Sequence, residues 1–275
     1  MGFLVFGTYN EVIREDDLLL LDLSKYGGTL SGLGYRHPRG RLGIKWEKGR
    51  GATMETYWEG PRYADRHEAG LVLAEKLAPY GSAHAVVLAI PNGGVAVALP
   101  IAREFGCSLH LIVVRKLQIP DRPEAGFGSV VSDGSVILNE PLVQRLNLSG
   151  EVIGSQKQQA LESIRVRLSL YGSKVELPDL KERTVILVDD GLASGYTMEA
   201  AVKVVKKQEP SLVVVAVPTS SMSAYRRLSS LVDKVVCPDV SRLPIFAVAD
   251  AYRDWRDLED EEVIALLRNR GPDFP

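Results

Sequence analysis

The chain has 275 residues, 45% of them apolar and 25% charged, with a formal net charge of −2. That length holds one large domain or a domain with an extension, and the composition is that of a globular protein rather than a disordered or fibrous one. The near-neutral charge gives no bulk attraction to nucleic acid or anionic lipid, and no apolar run approaches the length that spans a bilayer.

The first sixty residues read as a β-rich extension. Short apolar or alternating stretches occur at Phe3–Val12, Leu18–Leu23, Leu42–Trp46 and Thr53–Trp58, with glycines punctuating them. Phe3 to Phe6 is too short for a signal-peptide core and has no basic flank before it, so cytoplasmic residence is the expectation. Arg36 to Arg50 carries six Arg or Lys against Glu47, which reads as a solvated face or a basic patch. Trp46, Tyr57 and Trp58 read as the extension's own core or as a shield over a site mouth or subunit contact.

From Pro61 helix and strand patterns alternate. Arg66–Leu77 is amphipathic, with Leu73 and Leu77 one turn apart. Ala85–Ile90 is a buried strand, and Val95–Phe105 a helix that Pro100 kinks or delays. Leu109–Val114 is a second strand. Phe127–Val131 and Ser135–Leu138 flank Asp133-Gly134, a hairpin signal. Val152–Leu170 is a long polar helix. Val185–Val188, Leu212–Val217 and Leu231–Val236 are further strands, separated by helices at Met198–Lys207 and Ser223–Leu228. Glu259–Arg268 closes the chain as a helix with acids at its start. This alternation predicts an open, mostly parallel twisted sheet flanked by helices. Cys107 and Cys237 read as core thiols before a bridge or redox pair, and no Cys/His cluster has zinc spacing. His67, His84 and His110 have no nucleophile or metal partner by spacing.

Ligands of such sheets gather at the carboxyl ends of strands. After the first strand comes Pro91-Asn92-Gly93-Gly94, where two glycines before a helix admit an anion to backbone amides or simply make a tight turn. After the second come Arg115 and Lys116, suited to a polyphosphate but equally to a solvated charge pair. They lead into a proline-bearing loop that reads as a flap over about 118–138. After the third comes Asp189-Asp190-Gly191-Leu192-Ala193-Ser194-Gly195-Tyr196-Thr197. Adjacent carboxylates repel unless hydroxyls, amides or a cation compensate. Ser194, Gly195 and Thr197 add hydroxyls and an unhindered amide at a helix start. A helix cap accounts for Ser194 or Thr197 alone but not for the acids. No P-loop or dinucleotide fingerprint is present. Together the strand ends describe a site for a sugar carrying phosphate at one end and pyrophosphate at the other, with Asp189 and Asp190 on the ribose hydroxyls.

The acid pair and the loop ending Ser194-Gly195-Tyr196-Thr197 resemble the signature of the type I phosphoribosyltransferase family, with Ser194 in place of the commoner Thr. A further pattern resembles a branch of that family. It comprises Asp65-Arg66, Ala69-Gly70, Ile90 to Val95, Val114 to Lys116, Gly126 to Gly128, and Phe246, Val248, Tyr252 and Asp254. It covers about residues 61–270 and leaves the first sixty unexplained. The resemblance implies 5-phosphoribosyl 1-pyrophosphate (PRPP) as donor. Its 5′-phosphate would lie on the Gly191–Thr197 loop, chiefly Ala193 to Thr197, and its pyrophosphate at Asn92, Gly93 and Gly94. Arg115 and Lys116 would serve as strand-end cations. It implies Mg²⁺ bridging donor oxygens beside Asp189 and Asp190, and displacement of pyrophosphate through an oxocarbenium-like transition state.

A planar acceptor is expected under a hood at about 237–258. There Phe246, Tyr252 and Trp255 stack on a base or pack as core, Phe246 being the most buried, and Asp239 and Asp250 read polar edges. Arg66 reaches a phosphate or caps an interface. The division expected is 1–60 as extension and 61–275 as the phosphoribosyltransferase-like domain, in a homo-oligomer such as a dimer. Competing readings are a regulator that keeps the PRPP or nucleotide site without transfer, and a phosphohydrolase. The latter is weakened because further spaced metal ligands are missing.

Overall fold

The computed structural model describes residues 61–120, 122–242 and 246–268, together with five strands of the first sixty residues. The chain divides into two compact units, 1–65 with 241–255, and 66–240 with 256–275. The expected hood segment, 237–258, is therefore shared between them.

In the first unit β1 (Phe3–Val5) pairs antiparallel with β2 (Val12–Arg14). The strands β3 (Ser31–His37), β4 (Gly40–Glu47) and β5 (Thr53–Glu59) form an antiparallel sheet in chain order. The β-rich extension is thus present. The sequence reading missed β3, whose glycines dilute the apolar alternation, and Leu18–Leu23 lies outside the described residues. Around residue 63 the later segment closes onto the chain. Tyr63 N donates to Ala251 O (3.0 Å), and Arg253 N donates to Tyr63 O (2.8 Å).

The second unit is built on a parallel sheet of β6 (Val86–Ala89), β7 (Ser108–Leu111), β11 (Thr184–Val188), β12 (Leu212–Ala216) and β14 (Lys234–Val236), in the order β14-β12-β11-β6-β7. β6 is buried along its whole length and β11 at all but Thr184, as expected for strands covered on both faces. Alternate residues feed two cores. Val87, Ala89, Ile186 and Val188 face one that includes α1 (Arg66–Leu77) and α2 (Gly93–Phe105). Val86, Leu88, Val185 and Leu187 face the other, beside α5 (Tyr196–Lys206) and α6 (Met222–Ser229). Pro100 interrupts nothing: α2 runs through it, and a β-carbon at Gly70 of α1 would come within 2.8 Å of its ring, so the small residue lets the two helices close.

One strand departs from expectation. Leu109–Val114 is not a single strand. Ile112 still donates to Ala89 O (3.0 Å), then the chain leaves the parallel sheet and starts β8 (Val114–Ile119). This strand pairs antiparallel with β9 (Arg122–Val131), which pairs in turn with β10 (Val136–Leu138). Arg115 and Lys116 therefore stand on a strand of a second sheet rather than at the end of a parallel strand. The stretch expected as a flap has Phe127, Ser129, Val130 and Val131 buried. Its Asp133-Gly134 turn is pinned by Lys207, whose Nζ donates to Asp133 Oδ2 (2.8 Å) and Ser135 Oγ (2.7 Å). Then follow α3 (Glu140–Arg145) and the long α4 (Gly150–Tyr171), N-capped by Ser149. The short strands β13 (Thr219–Ser221) and β15 (Asp239–Ser241) flank α6 and β14, and α7 (Asp260–Arg268) ends the described chain. Among the described residues no helix is long and apolar enough to cross a membrane. Both cysteines are free, Cys107 buried and Cys237 half-buried. Burial pushes their thiols up to about 11 and about 12.

Candidate active site at the carboxyl ends of β6 and β11

The strand order reverses between β6 and β11, because β6 leads to β7 on one side while β11 adds on the other. The loops after these two strands therefore open on the same crevice. They meet there at atomic contact. A β-carbon at Gly93 would overlap Asp190 Oδ2 and lie 2.9 Å from Arg66 Nε, and one at Gly94 would lie 2.8 Å from Val188 O. The two glycines are the first residues of α2, so its N-terminal amides start at the acid pair. The Pro91–Asn92 peptide is cis.

Asp189 and Asp190 are half-buried at the end of β11. Asp190 N donates to Asp189 Oδ1 (2.9 Å). Arg66 Nε donates to Asp190 Oδ2 (2.9 Å), and Arg66 Nη1 to Arg256 O (2.8 Å), which fixes the guanidinium against the acid. Burial pushes the Asp189 carboxyl well above the ordinary range, and the charge of Asp190 adds to this. Burial also raises Asp190, against the opposing pull of Arg66. Arg66, read from the sequence as reaching a phosphate or capping an interface, holds an acid here and lines the cavity beside it.

A cavity of about 600 Å³ adjoins Asp190. Arg66, Asn92, Gly93 and Asp190 form one side and Arg115, Lys116 and Gln118 of β8 another. The rest is Asp257, Leu258 and one face of α4, namely Gln156, Gln159, Ser163 and Arg167 around buried Ala160. The spacing of three and four residues keeps these on a single helix face. Sequence reading saw α4 only as a long polar helix; the one available signal was this polar stripe. Arg115 Nε donates to Ser163 Oγ (3.0 Å). Burial and the charge of Arg167 lower the pKa of Arg115, without threatening its charge.

Asn92 lines this cavity, and its carboxamide is tied to the helices beside it. Its Nδ2 donates to Leu258 O (2.5 Å) and Asp260 Oδ1 (3.0 Å), while its Oδ1 accepts from Arg167 Nη1 (2.5 Å). Tyr171 OH donates to Asp260 Oδ1 (2.6 Å). The carboxamide is committed to anchoring the glycine loop to α4 and α7. Burial and the hydrogen bond to Asp260 raise the Tyr171 hydroxyl above its ordinary range.

On the other side of the acids, the expected phosphate loop leads into α5, which starts at Tyr196 rather than Met198. Gly195 has φ +80, and a β-carbon there would meet Leu228 Cδ2 at 2.9 Å. Ala193 and Ser194 are exposed, and Thr197 is half-buried in the first turn. Leu192 leaves the set of anion donors. Its amide is spent on Thr219 O (3.0 Å), its carbonyl accepts from Ser221 N (2.9 Å), and its side chain is buried. Ser221 Oγ donates to Ala193 O (2.7 Å) and Arg227 Nη2 to Tyr196 OH (3.0 Å), so α6 and the turn before it buttress the loop. The cavity wall includes Asn92, Gly93, Arg115, Lys116 and Asp190 but not Asp189, Gly94 or the loop from Gly191 to Thr197.

Among the described residues no group of three His, Cys, Asp or Glu could hold a metal alone. The donor set on the strand is two carboxylates, one oxygen taken by Arg66. Such oxygen-only donors fit Mg²⁺, which keeps waters and substrate oxygens in its shell.

The expected acceptor residues fall differently. Tyr252, not Phe246, is the buried member at 4% exposed, and its ring packs between Tyr63 (5.8 Å) and Trp255 (5.3 Å). Asp239 accepts the Thr219 hydroxyl (2.8 Å).

Fold and site together define a doubly wound α/β protein with a glycine loop and an acid pair meeting at its switch point. The chain belongs to the phosphoribosyl transferase domain family, whose model matches residues 68–249. It is 34% identical over 212 residues to "Putative phosphoribosyl transferase Rv0571c" and "Putative phosphoribosyl transferase MT0597" of Mycobacterium tuberculosis. That match takes 77% of this chain and 48% of the relatives, so the chain spans about half the length of the curated proteins it matches. The crystal structure of TT1426 from Thermus thermophilus is 38% identical, with a TM-score of 0.61, over 75% of this chain and 97% of that one.

Proposed function

We propose that the chain transfers a 5-phosphoribosyl group between PRPP and a planar nucleobase or related acceptor, releasing or consuming pyrophosphate. The observation that carries this reading is the contact of Gly93 with the Asp190 carboxylate, with a cation-lined cavity opening beside it. A ribose whose hydroxyls lie on the acids puts its C1 substituent at the glycine loop, so one molecule reaches both features.

In this reading the 5′-phosphate rests on the exposed backbone from Ala193 and on the first turn of α5, where helix amides favour an anion. Asp189 and Asp190 orient the ribose hydroxyls and offset positive charge that develops on the sugar. Arg115 and Lys116 take up negative charge growing on pyrophosphate, and the amides of Gly93 and Gly94 add to them. Asp189 and Asp190 would hold Mg²⁺, which would supply further neutralisation of the leaving group. Arg66 holds Asp190 in one rotamer and biases it towards the ionised form.

The test is incubation with PRPP, Mg²⁺ and a panel of purine, pyrimidine and pyridine acceptors, with pyrophosphate and nucleotide followed by mass spectrometry. Acceptor-dependent release is the expected result. Tight PRPP binding with no acceptor-dependent release would instead make the chain a sensor on the same fold. Absence of PRPP binding would overturn the reading.

A further inference from the structure

The cavity beside Asp190 is larger than a leaving pyrophosphate requires. Its volume of about 600 Å³ lies within the ~300–1,000 Å³ of sites that enclose whole small molecules. Its wall on α4 runs from Gln156 to Arg167, which at 1.5 Å per residue is about 16 Å of helix.

The chemistry changes along that wall. Arg167 stands at one end beside the glycine loop, and Ser163, hydrogen-bonded to Arg115, stands in the middle. Beyond them, one and two turns back along α4, come Gln159 and Gln156, and Gln118 of β8 adds a third carboxamide to the lining. Gln156 Nε2 donates to Gln159 Oε1 (3.3 Å), which leaves Gln156 Oε1 as an acceptor and Gln159 Nε2 as a donor towards a ligand. Ala160, buried between them, is a small apolar floor. Cations at one end and paired carboxamides over a flat apolar residue at the other suit a polyphosphate that carries an uncharged, hydrogen-bonding group.

We infer that this cavity takes a nucleoside diphosphate or triphosphate, with phosphates against Arg115 and Lys116 and the nucleoside's polar edge against Gln156 and Gln159. Such a ligand competes with pyrophosphate, and so restrains the reaction proposed above. Its competitive role rests on that reading; its binding does not.

Direct calorimetric titration with pyrophosphate, tripolyphosphate and the four common nucleoside triphosphates tests it. At least one nucleotide is expected to bind more tightly than tripolyphosphate, by about fivefold for each neutral hydrogen bond gained. The double variant Gln156→Leu/Gln159→Leu, at partly exposed positions that fold does not depend on, should erase that margin. Lys116→Ala should weaken tripolyphosphate and nucleotide alike. Tripolyphosphate binding as tightly as every nucleotide, or a margin that survives the double variant, overturns the inference. So does a lack of nucleotide binding. Acceptor-dependent turnover with a failed nucleotide titration removes this inference alone, whereas nucleotide binding without turnover removes the proposed transfer alone.

Discussion

Gly93 is seated on the carboxylate of Asp190, so closely that a methyl group at position 93 would occupy the place of Oδ2. Backbone of the anion loop and side chain of the acid pair cannot both keep their places if a β-carbon is added. Gly93→Ala should therefore displace Asp190 and its partner Arg66. The chain is expected to fold, with pyrophosphate release down by about a hundredfold or more, the scale of losing one preorganised charge-stabilising group. Steady-state turnover and a melting curve on the same sample check this. Turnover within a factor of two of the parent would show that the loops do not work as one site.

Arg66 opposes the rise that burial imposes on Asp190, while the charge of Asp190 adds to the rise of Asp189. With Arg66→Gln the Asp190 carboxyl loses its cation and its pKa climbs further. If the ionised acid is the working form, the acidic limb of the kcat/KM profile moves to higher pH. Loss of activity is then largest at low pH and recovers in part as pH rises. A pH profile of both proteins gives the answer, and an equal loss at every pH would assign Arg66 to placement alone.

Much of this was legible in the sequence because its causes are local. Runs such as Val185–Val188 bury both faces and declare a covered parallel strand, and Asp189 to Thr197 carries acids, small residues and a helix start in one span. The rest depends on residues distant in sequence. Nothing near Asn92 announces that its carboxamide is held by Arg167, Tyr171 and Asp260, since α4 and α7 reach it only through the fold. The break after Leu111 was equally hidden, because Ile112, Val113 and Val114 are buried on both sides of the exit and keep the apolar pattern going. Leu192 looked like a loop amide only because its partner, Thr219, lies one strand away.

The Asn92 anchor makes a prediction of graded severity. Tyr171→Phe removes one hydrogen bond from Asp260, which keeps Arg167 and Asn92, and should cost about 1 kcal/mol. Asp260→Ala removes the acceptor that Asn92, Arg167 and Tyr171 share, and should cost about 2 kcal/mol. Both should raise KM for PRPP more than they lower kcat if the loop they hold binds the donor as proposed. Urea melts and initial rates measure the two effects. Equal stability of the two variants, or a pure kcat defect, would mean the anchor does not set the loop.

Gly195 sits at φ +80 where the loop after the acid pair enters α5, with Leu228 and Ala224 packed over it. Gly195→Ala incurs the left-handed penalty of an L-residue and a clash with Leu228, together about 1–3 kcal/mol. Because α6 and the loop share this contact, the amides from Ala193 onward should shift too. Affinity for ribose 5-phosphate, which carries the 5′-phosphate without pyrophosphate, should fall while affinity for free pyrophosphate is retained. Parallel titrations decide it. A matching fall for both ligands would place the 5′-phosphate elsewhere.

The acid pair itself should be held at the expense of stability. A carboxyl whose folded pKa lies above its unfolded one favours the folded state less as pH climbs from the ordinary aspartate range through the raised value. Asp189 is in that position, through burial first and the charge of Asp190 second. Asp189→Asn keeps the shape and discards the charge. In metal-free buffer its melting temperature should exceed the parent's at neutral pH, and the difference should shrink on acidification, where the parent carboxyl is protonated in both states. Turnover should fall by about a hundredfold at the same time. A variant that is both less stable at neutral pH and less active would mean that Asp189 is a structural acid whose charge the fold needs, because a buried group kept only for chemistry is relieved, not damaged, by its neutral isostere.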